Sequence, residues 1–299
     1  MVPAPPIASQ SARCLSLELG THRKEPLHLG TPLLAAAGAA GVGALLHELC
    51  TSDQLGAIVL PPLSQGTSEE PGGATIHPIT AGCLVTRPPT VGRRRLAWLV
   101  RRCRATREIP LIASIAPKDA NGCERLCETI LDLGLSSVEL HVAAGTAPDG
   151  VVPMITLLAS APLQAVLVRL PLESVASLAK AAAAAGADAL VVAAPAMGRA
   201  QTANGTIQQG EVHAPSLQPL YAQAVQAAAS AGIPVIGRGG IASWEDVRTM
   251  LASGAMAVQL DSILWAEPAA LEGIYQNLQA AVTETRVSRW EEYLQGLRA

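Results

Sequence analysis

Residues 232–262 read GIPVIGRGGIASWEDVRTMLASGAMAVQLDS, and the fold follows from this stretch outward. Ile233-Pro234-Val235-Ile236 is a short apolar run. It ends in Gly237-Arg238-Gly239-Gly240, where backbone amides approach a ligand without Cβ interference. Ser243 is a good N-cap, Asp246 completes a capping box three residues later, and Gly254 stands where a helix leaves through a left-handed residue. Ala255 to Leu260 then reads as a second buried strand. Strand, glycine turn, helix, glycine, strand is a βα unit whose turn amides suit an anion, most often phosphate.

The same unit recurs along the chain. Pro32, Pro110, Pro162 and Pro234 each open an apolar strand, the third running on to Arg169. Each is followed by a helical stretch and a second strand entered through Gly56, Gly134, Gly186 or Gly254. The second strands are Ala57–Leu60, Ser137–Leu140, Ala189–Val192 and Ala257–Leu260. Eight strands alternating with helices predict a closed parallel (β/α)8 barrel, a TIM barrel, spanning residues 1–299 as one domain. The alternative, a doubly wound open sheet, lacks a Gly-x-Gly-x-x-Gly after its first strand.

Composition narrows the function. Hydrophobic residues make up 49% of the chain with no Phe, so small aliphatic side chains must fill the barrel. A net charge of -3 and few, scattered aromatics give no attraction to nucleic acid and no base-stacking platform. Residues 1–14 read as a flexible, proline-rich start without the basic and apolar regions of a signal peptide, and no apolar run reaches membrane-spanning length. Six cysteines without a Cys-x-x-Cys read as buried free thiols rather than a metal site, in a reduced, cytoplasmic protein.

Between the strands, Leu15 to Leu29 reads as a hairpin closing the barrel bottom. Ser64–Gly92, rich in Pro, Gly and Thr with little periodicity, reads as a lid loop after the second strand. Long top-face loops are also expected after strands four and six, the last being Ala194–Pro215 with Met197, Arg199, Gln201, Asn204 and Glu211. Arg93 to Arg107 carries seven arginines on a helix with Leu96, Leu99 and Val100 as its apolar side. Its basic face is either simply solvated or a contact for an acidic partner. Ala269 to Ala299 reads as two amphipathic helices.

The hairpin, the barrel, the long loops, GIPVIGRGGI, SGAMAVQ and Trp290-Glu-Glu-Tyr-Leu in the C-terminal helices together resemble the soluble class of dihydroorotate dehydrogenase. That resemblance covers nearly the whole chain. It implies FMN as cofactor, oxidoreductase chemistry on a CH–CH bond, and the pyrimidine biosynthesis lineage. It further implies that Gly38, Arg169, Gly239, Gly240 and Ser262 hold the cofactor, Arg169 standing where the family has a flavin-side lysine.

Position by position, the chain departs from the family. Its Asn-x-Ser-Cys-Pro-Asn motif, whose cysteine takes a proton from dihydroorotate, falls on His141-Val142-Ala143-Ala144-Gly145-Thr146, with Ala144 at the base position. The second-strand lysine falls on Leu60, the lid asparagine near Thr90, the glycine of the sixth loop on Ala214, and the phosphate-binding Gly-Thr on Asp261-Ser262. His141 at a strand end is either a substitute general base or a hydrogen-bonded histidine. Glu139 points to the same side, a pleat lower. Arg238 is either an anion ligand or a solvated loop arginine. Asp261 either faces the phosphate or caps the helix after it, and both geometries weaken FMN. Two functions stay open: an FMN oxidoreductase of altered substrate, or a non-catalytic barrel that binds a small-molecule or phosphate-bearing ligand or scaffolds an active homologue. Homo- or hetero-oligomers are compatible with both.

Overall fold

A computed structural model describes residues 14–41, 45, 48–49, 52–63, 74–86, 90–105 and 109–299. The expected flexible start at 1–13, most of the first half of the lid stretch, Cys50 and Arg107 lie outside the described residues. The chain enters through a hairpin of β1 (Leu17–Leu19) and β2 (Leu27–Leu29) and continues into β3 (Leu33–Ala35) and β4 (Ala57–Val59). A second hairpin, β5 (Thr75–Ile79) and β6 (Gly82–Thr86), precedes helix α1 (Arg93–Arg104). Regular alternation follows: β7 (Leu111–Ile115), α2 (Ala120–Asp132), β8 (Ser137–His141), α3 (Pro148–Ser160), β9 (Ala165–Leu170), α4 (Val175–Ala184) and β10 (Ala189–Val192). A third hairpin, β11 (Ala196–Gln201) and β12 (Ile207–His213), leads to α5 (Gln218–Ala229), β13 (Val235–Arg238), α6 (Trp244–Ala252) and β14 (Ala257–Leu260). Three helices end the chain: α7 (Ile263–Ala266), α8 (Ala270–Thr285) and α9 (Trp290–Arg298).

Eight strands close into a barrel in the order β10-β13-β14-β3-β4-β7-β8-β9, all pairs parallel. They fall where the proline- and glycine-led runs predict. Their Val, Ile, Leu and Ala side chains are buried on both faces, as parallel strands wrapped by helices require. Helix α6 starts on a complete capping box: Asp246 accepts from the Ser243 amide at 2.9 Å, and Ser243 Oγ accepts from the Asp246 amide at 3.3 Å. Gly254 then leaves at φ +118°.

The β1–β2 hairpin plugs the bottom, where Arg23 Nε donates to Asp188 Oδ2 at 2.7 Å just below β10. Trp290 of α9, fully buried, donates through Nε1 to the Met256 carbonyl and fastens the C-terminal helices to the strand β14 region. Helix α1 buries Leu96, Leu99, Val100 and Cys103. On its other face Arg93 meets Asp132 at 3.2 Å, and the Arg95 and Arg102 guanidiniums lie over the Trp98 ring.

At the top, two findings differ from the expectation of open loops. The stretches after β4 and β10 form hairpins that pair through β6 and β12 into one antiparallel sheet, β11-β12-β6-β5, beside the mouth. Their strand signal is weak in sequence because one face stays wet and Pro78 interrupts β5; pairing with a distant hairpin supplies the missing support. The connection after the fourth barrel strand is not long: it covers only residues 142–147.

Candidate functional site

Strand pleating sets the floor of the site. Along β8, Ser137, Glu139 and His141 take alternate positions, and Glu139 accepts from Gln259 Nε2 of β14 at 2.5 Å, across the barrel axis. Glu139 is therefore an interior side chain. Strand register brings its neighbours level: Ser114 lies beside Glu139, Arg169 beside His141, and Gln259 beside Arg238. A buried polar layer from five strands results, just below the mouth.

His141 is engaged at both nitrogens. Arg169 Nη2 lies 2.6 Å from Nδ1. A guanidinium only donates, so Nδ1 accepts and the imidazole proton sits on Nε2. That nitrogen faces Ser114 Oγ at 2.6 Å and Glu139 Oε1 at 3.0 Å. Serine and carboxylate thus share one nitrogen, which rules out a Ser-His-acid relay. Burial lowers the His141 pKa, Arg169 lowers it further, and the pull of Glu139 only partly offsets them, leaving it at about 4. Burial alone would raise Glu139, but the His141 hydrogen bond and the nearby cations prevail and hold it at about 2.

In the same layer, Arg238 ends β13 with only 2% of its surface exposed. Its Nε and Nη2 both donate to Asp261 Oδ2, at 3.0 and 2.6 Å. Arg238 is therefore not a solvated loop residue. Asp261 does not cap α7 either; burial favours its neutral form, and Arg238 and His213 outweigh burial to keep its pKa low. His213, at the end of β12, reaches Asp261 Oδ2 at 3.7 Å and Glu211 Oε2 at 3.6 Å, and meets the Trp265 ring edge-on. This cluster ties the top sheet to the barrel.

Above it opens a cavity of about 940 Å³, within the range of small-molecule sites. Its walls are mostly apolar, among them Ala37, Leu45, Val142, Met154 and Trp265, with Arg169, Glu211, His213, Arg238 and Asp261 on one side. Of the residues expected to form a site, Gly38, Thr90, His141, Ala144 and Arg169 line this cavity. Gly239, Gly240 and Ser262 do not. They line a separate cavity of about 10 Å³, and Pro195, His213 and Asp261 form the partition between the two. Leu60 is fully buried, and Ala214 is buried against Gly82.

Whether a flavin phosphate fits can be tested on this geometry. Loops after barrel strands seven and eight commonly form a phosphate seat, and here those loops are Gly239-Gly240 and Asp261-Ser262. A cavity of about 10 Å³ holds at most one water. Tyr221 and the Gln218 backbone press against the two glycines, leaving no room for a Cβ. With Asp261 held on Arg238, the space beside Gly239 and Gly240 is too small for a phosphate, so the residues as placed do not fit the phosphate of FMN.

Ser114, His213 and Gln259 were not singled out from sequence. Ser114 and Gln259 do leave a signal: each is a lone polar residue inside an apolar strand, at a position that faces inward. His213 leaves none, because its role depends on the pairing of two distant hairpins. Among the described residues no cluster of three His, Cys, Asp or Glu side chains could hold a metal ion, and no helix is long and apolar enough to cross a membrane.

Comparison with known proteins gives two independent likenesses. The family model for nitronate monooxygenase matches residues 156–271, from within α3 to the start of α8. The chain is 26% identical over 298 residues to the dihydroorotate dehydrogenase B (NAD(+)) catalytic subunit of Geobacillus kaustophilus, covering 89% of this chain and 91% of that one. The subunit of the same name from Alkaliphilus oremlandii is 26% identical over 275 residues, covering 83% and 90%. A putative dihydroorotate dehydrogenase A (fumarate) from Pediococcus pentosaceus is 24% identical over 298 residues, covering 89% and 95%.

Proposed function

We propose that this chain is a small-molecule-binding barrel of flavoprotein-oxidoreductase descent that does not oxidise dihydroorotate. The class rests on the similarity to dihydroorotate dehydrogenases over most of the chain and to nitronate monooxygenase over its last four barrel strands. The loss of that reaction rests on one observation, the engagement of His141. Its only lone pair, on Nδ1, accepts from Arg169 at 2.6 Å, and its pKa of about 4 keeps proton affinity low at neutral pH. Ala144, where the resemblance expects the family's proton-abstracting cysteine, has no lone pair on its side chain. Losing a general base costs about two to four orders of magnitude in rate.

The test is dihydroorotate oxidation by the purified chain, with added FMN and a dye acceptor. No rate above background is expected. Turnover at ordinary dehydrogenase rates that disappears in His141→Ala would sink the reading and make His141 the base.

A second reading, an FMN oxidoreductase acting on another substrate, is favoured by the cavity of about 940 Å³ with Gly38 and Arg169 on its wall. A visible absorption spectrum separates the two. The first reading expects a colourless protein; a flavin spectrum at one per chain supports the second.

A further inference from the structure

At the loops after the seventh and eighth strands, where barrels commonly seat a phosphate, Arg238 at the end of β13 and Asp261 just after β14 form an internal ion pair. Arg238 Nε and Nη2 converge on one oxygen of Asp261, and Arg238 Nη1 is sealed in without a partner among the described residues. Two charge-assisted bonds from one guanidinium to one oxygen are what a phosphate oxygen would otherwise receive. The space beside the glycine turn is about 10 Å³ and is lined by Tyr221, Asp261 and Ser262, with the Tyr221 ring 2.7 Å from where a Cβ on Gly239 would stand. Asp261 and His213 stand in the partition between this seat and the large cavity.

We propose that the Arg238–Asp261 pair occupies the place of a ligand phosphate, so that the large cavity takes phosphate-free ligands by their apolar bodies and does not discriminate flavins by their phosphate. This rests on the reading of the chain as a barrel of flavoprotein descent and adds the class of ligand that its cavity admits. An incoming phosphate has to displace Asp261 from Arg238 and then share the site with the Asp261 and Glu211 carboxylates. Like charges in a buried site repel strongly. A ligand that ends in a neutral group leaves the pair intact.

FMN and riboflavin carry the same ring and differ by the phosphate alone, which makes their affinity ratio the readout. Flavin fluorescence titration of the purified full chain is expected to show FMN bound no more than about threefold tighter than riboflavin, or neither bound measurably. Asp261→Gly frees Arg238 and opens the partition, so the variant is expected to prefer FMN by about tenfold or more. Asp261→Asn, which removes the charge and keeps the volume, should give a smaller preference and serves if the glycine variant does not fold. An FMN preference of about tenfold in the wild type overturns the proposal. So does a folded Asp261→Gly variant with no preference. Equal, tight binding of both flavins would support it while removing the expectation of a colourless protein, so the two readings fail separately.

Discussion

His141→Gln should reduce the loss of stability expected of this protein between about pH 6.5 and pH 4.5. The wild-type imidazole is buried, and burial together with the neighbouring Arg169 depresses its pKa to about 4 in the folded chain. In the unfolded chain the ordinary value is about 6.5. Between these values the unfolded chain takes up a proton and the folded chain does not. The contribution of His141 is therefore complete above about pH 6.5 and declines as pH falls. Integrated linkage amounts to about 2 kcal/mol by pH 5 and about 3 kcal/mol by pH 4. Glu139, held at about 2, acts in a lower window: its stabilisation is present above its ordinary pKa near 4.5 and is lost as pH falls toward 2. Glutamine can still donate to Glu139 and accept from Arg169 but has no proton to gain. Urea unfolding followed by tryptophan fluorescence at pH 7.5 and pH 5.0 measures both proteins. The wild type should lose about 2 kcal/mol more than the variant across that interval. An equal loss in the two proteins would show that His141 is not held neutral by burial and Arg169, and the argument about its lone pair would go with it.

His213→Gln should act in the opposite direction. Burial alone would lower the His213 pKa, but Asp261 and Glu211 outweigh burial and the opposing Arg238, so the net shift is upward. Its stabilising charge is thus fully present below about pH 6.5 and lost as pH rises through the raised value; the urea midpoint of the wild type should fall between pH 6 and pH 8.5 relative to the variant, and parallel curves would count against the latch between sheet and barrel. Gly240→Ala places a Cβ 2.6 Å from the Gln218 amide nitrogen at φ +68° and should cost about 2 kcal/mol or more, read as a lower Tm. Gly273→Ala, in α8 with open space around it, should be neutral or stabilising by up to about 1 kcal/mol; similar Tm losses in both would refute the packing of α5 against the glycine turn.

Much of the fold was legible because its signals are local. Proline-led and glycine-led apolar runs place all eight barrel strands, and Ser243 with Asp246 places the start of α6, since capping and strand burial depend on residues a few positions apart. His141, Arg169 and Gly239 fall at one end of the barrel for the same reason: in a parallel barrel every strand points the same way. What those residues touch was not legible. Glu139 meets Gln259 across 120 residues of chain, Arg238 meets Asp261 across 23, and His213 joins them from a hairpin that pairs with another beside the mouth. Read alone, Asp261 promised repulsion of a phosphate or a helix cap. In the closed barrel it is neutralised by an arginine on the adjacent strand, and the seat is filled rather than merely charged. Secondary structure follows from nearest neighbours along the chain, whereas side-chain pairing inside a barrel follows from strand register and closure, which exist only once all eight strands have come together.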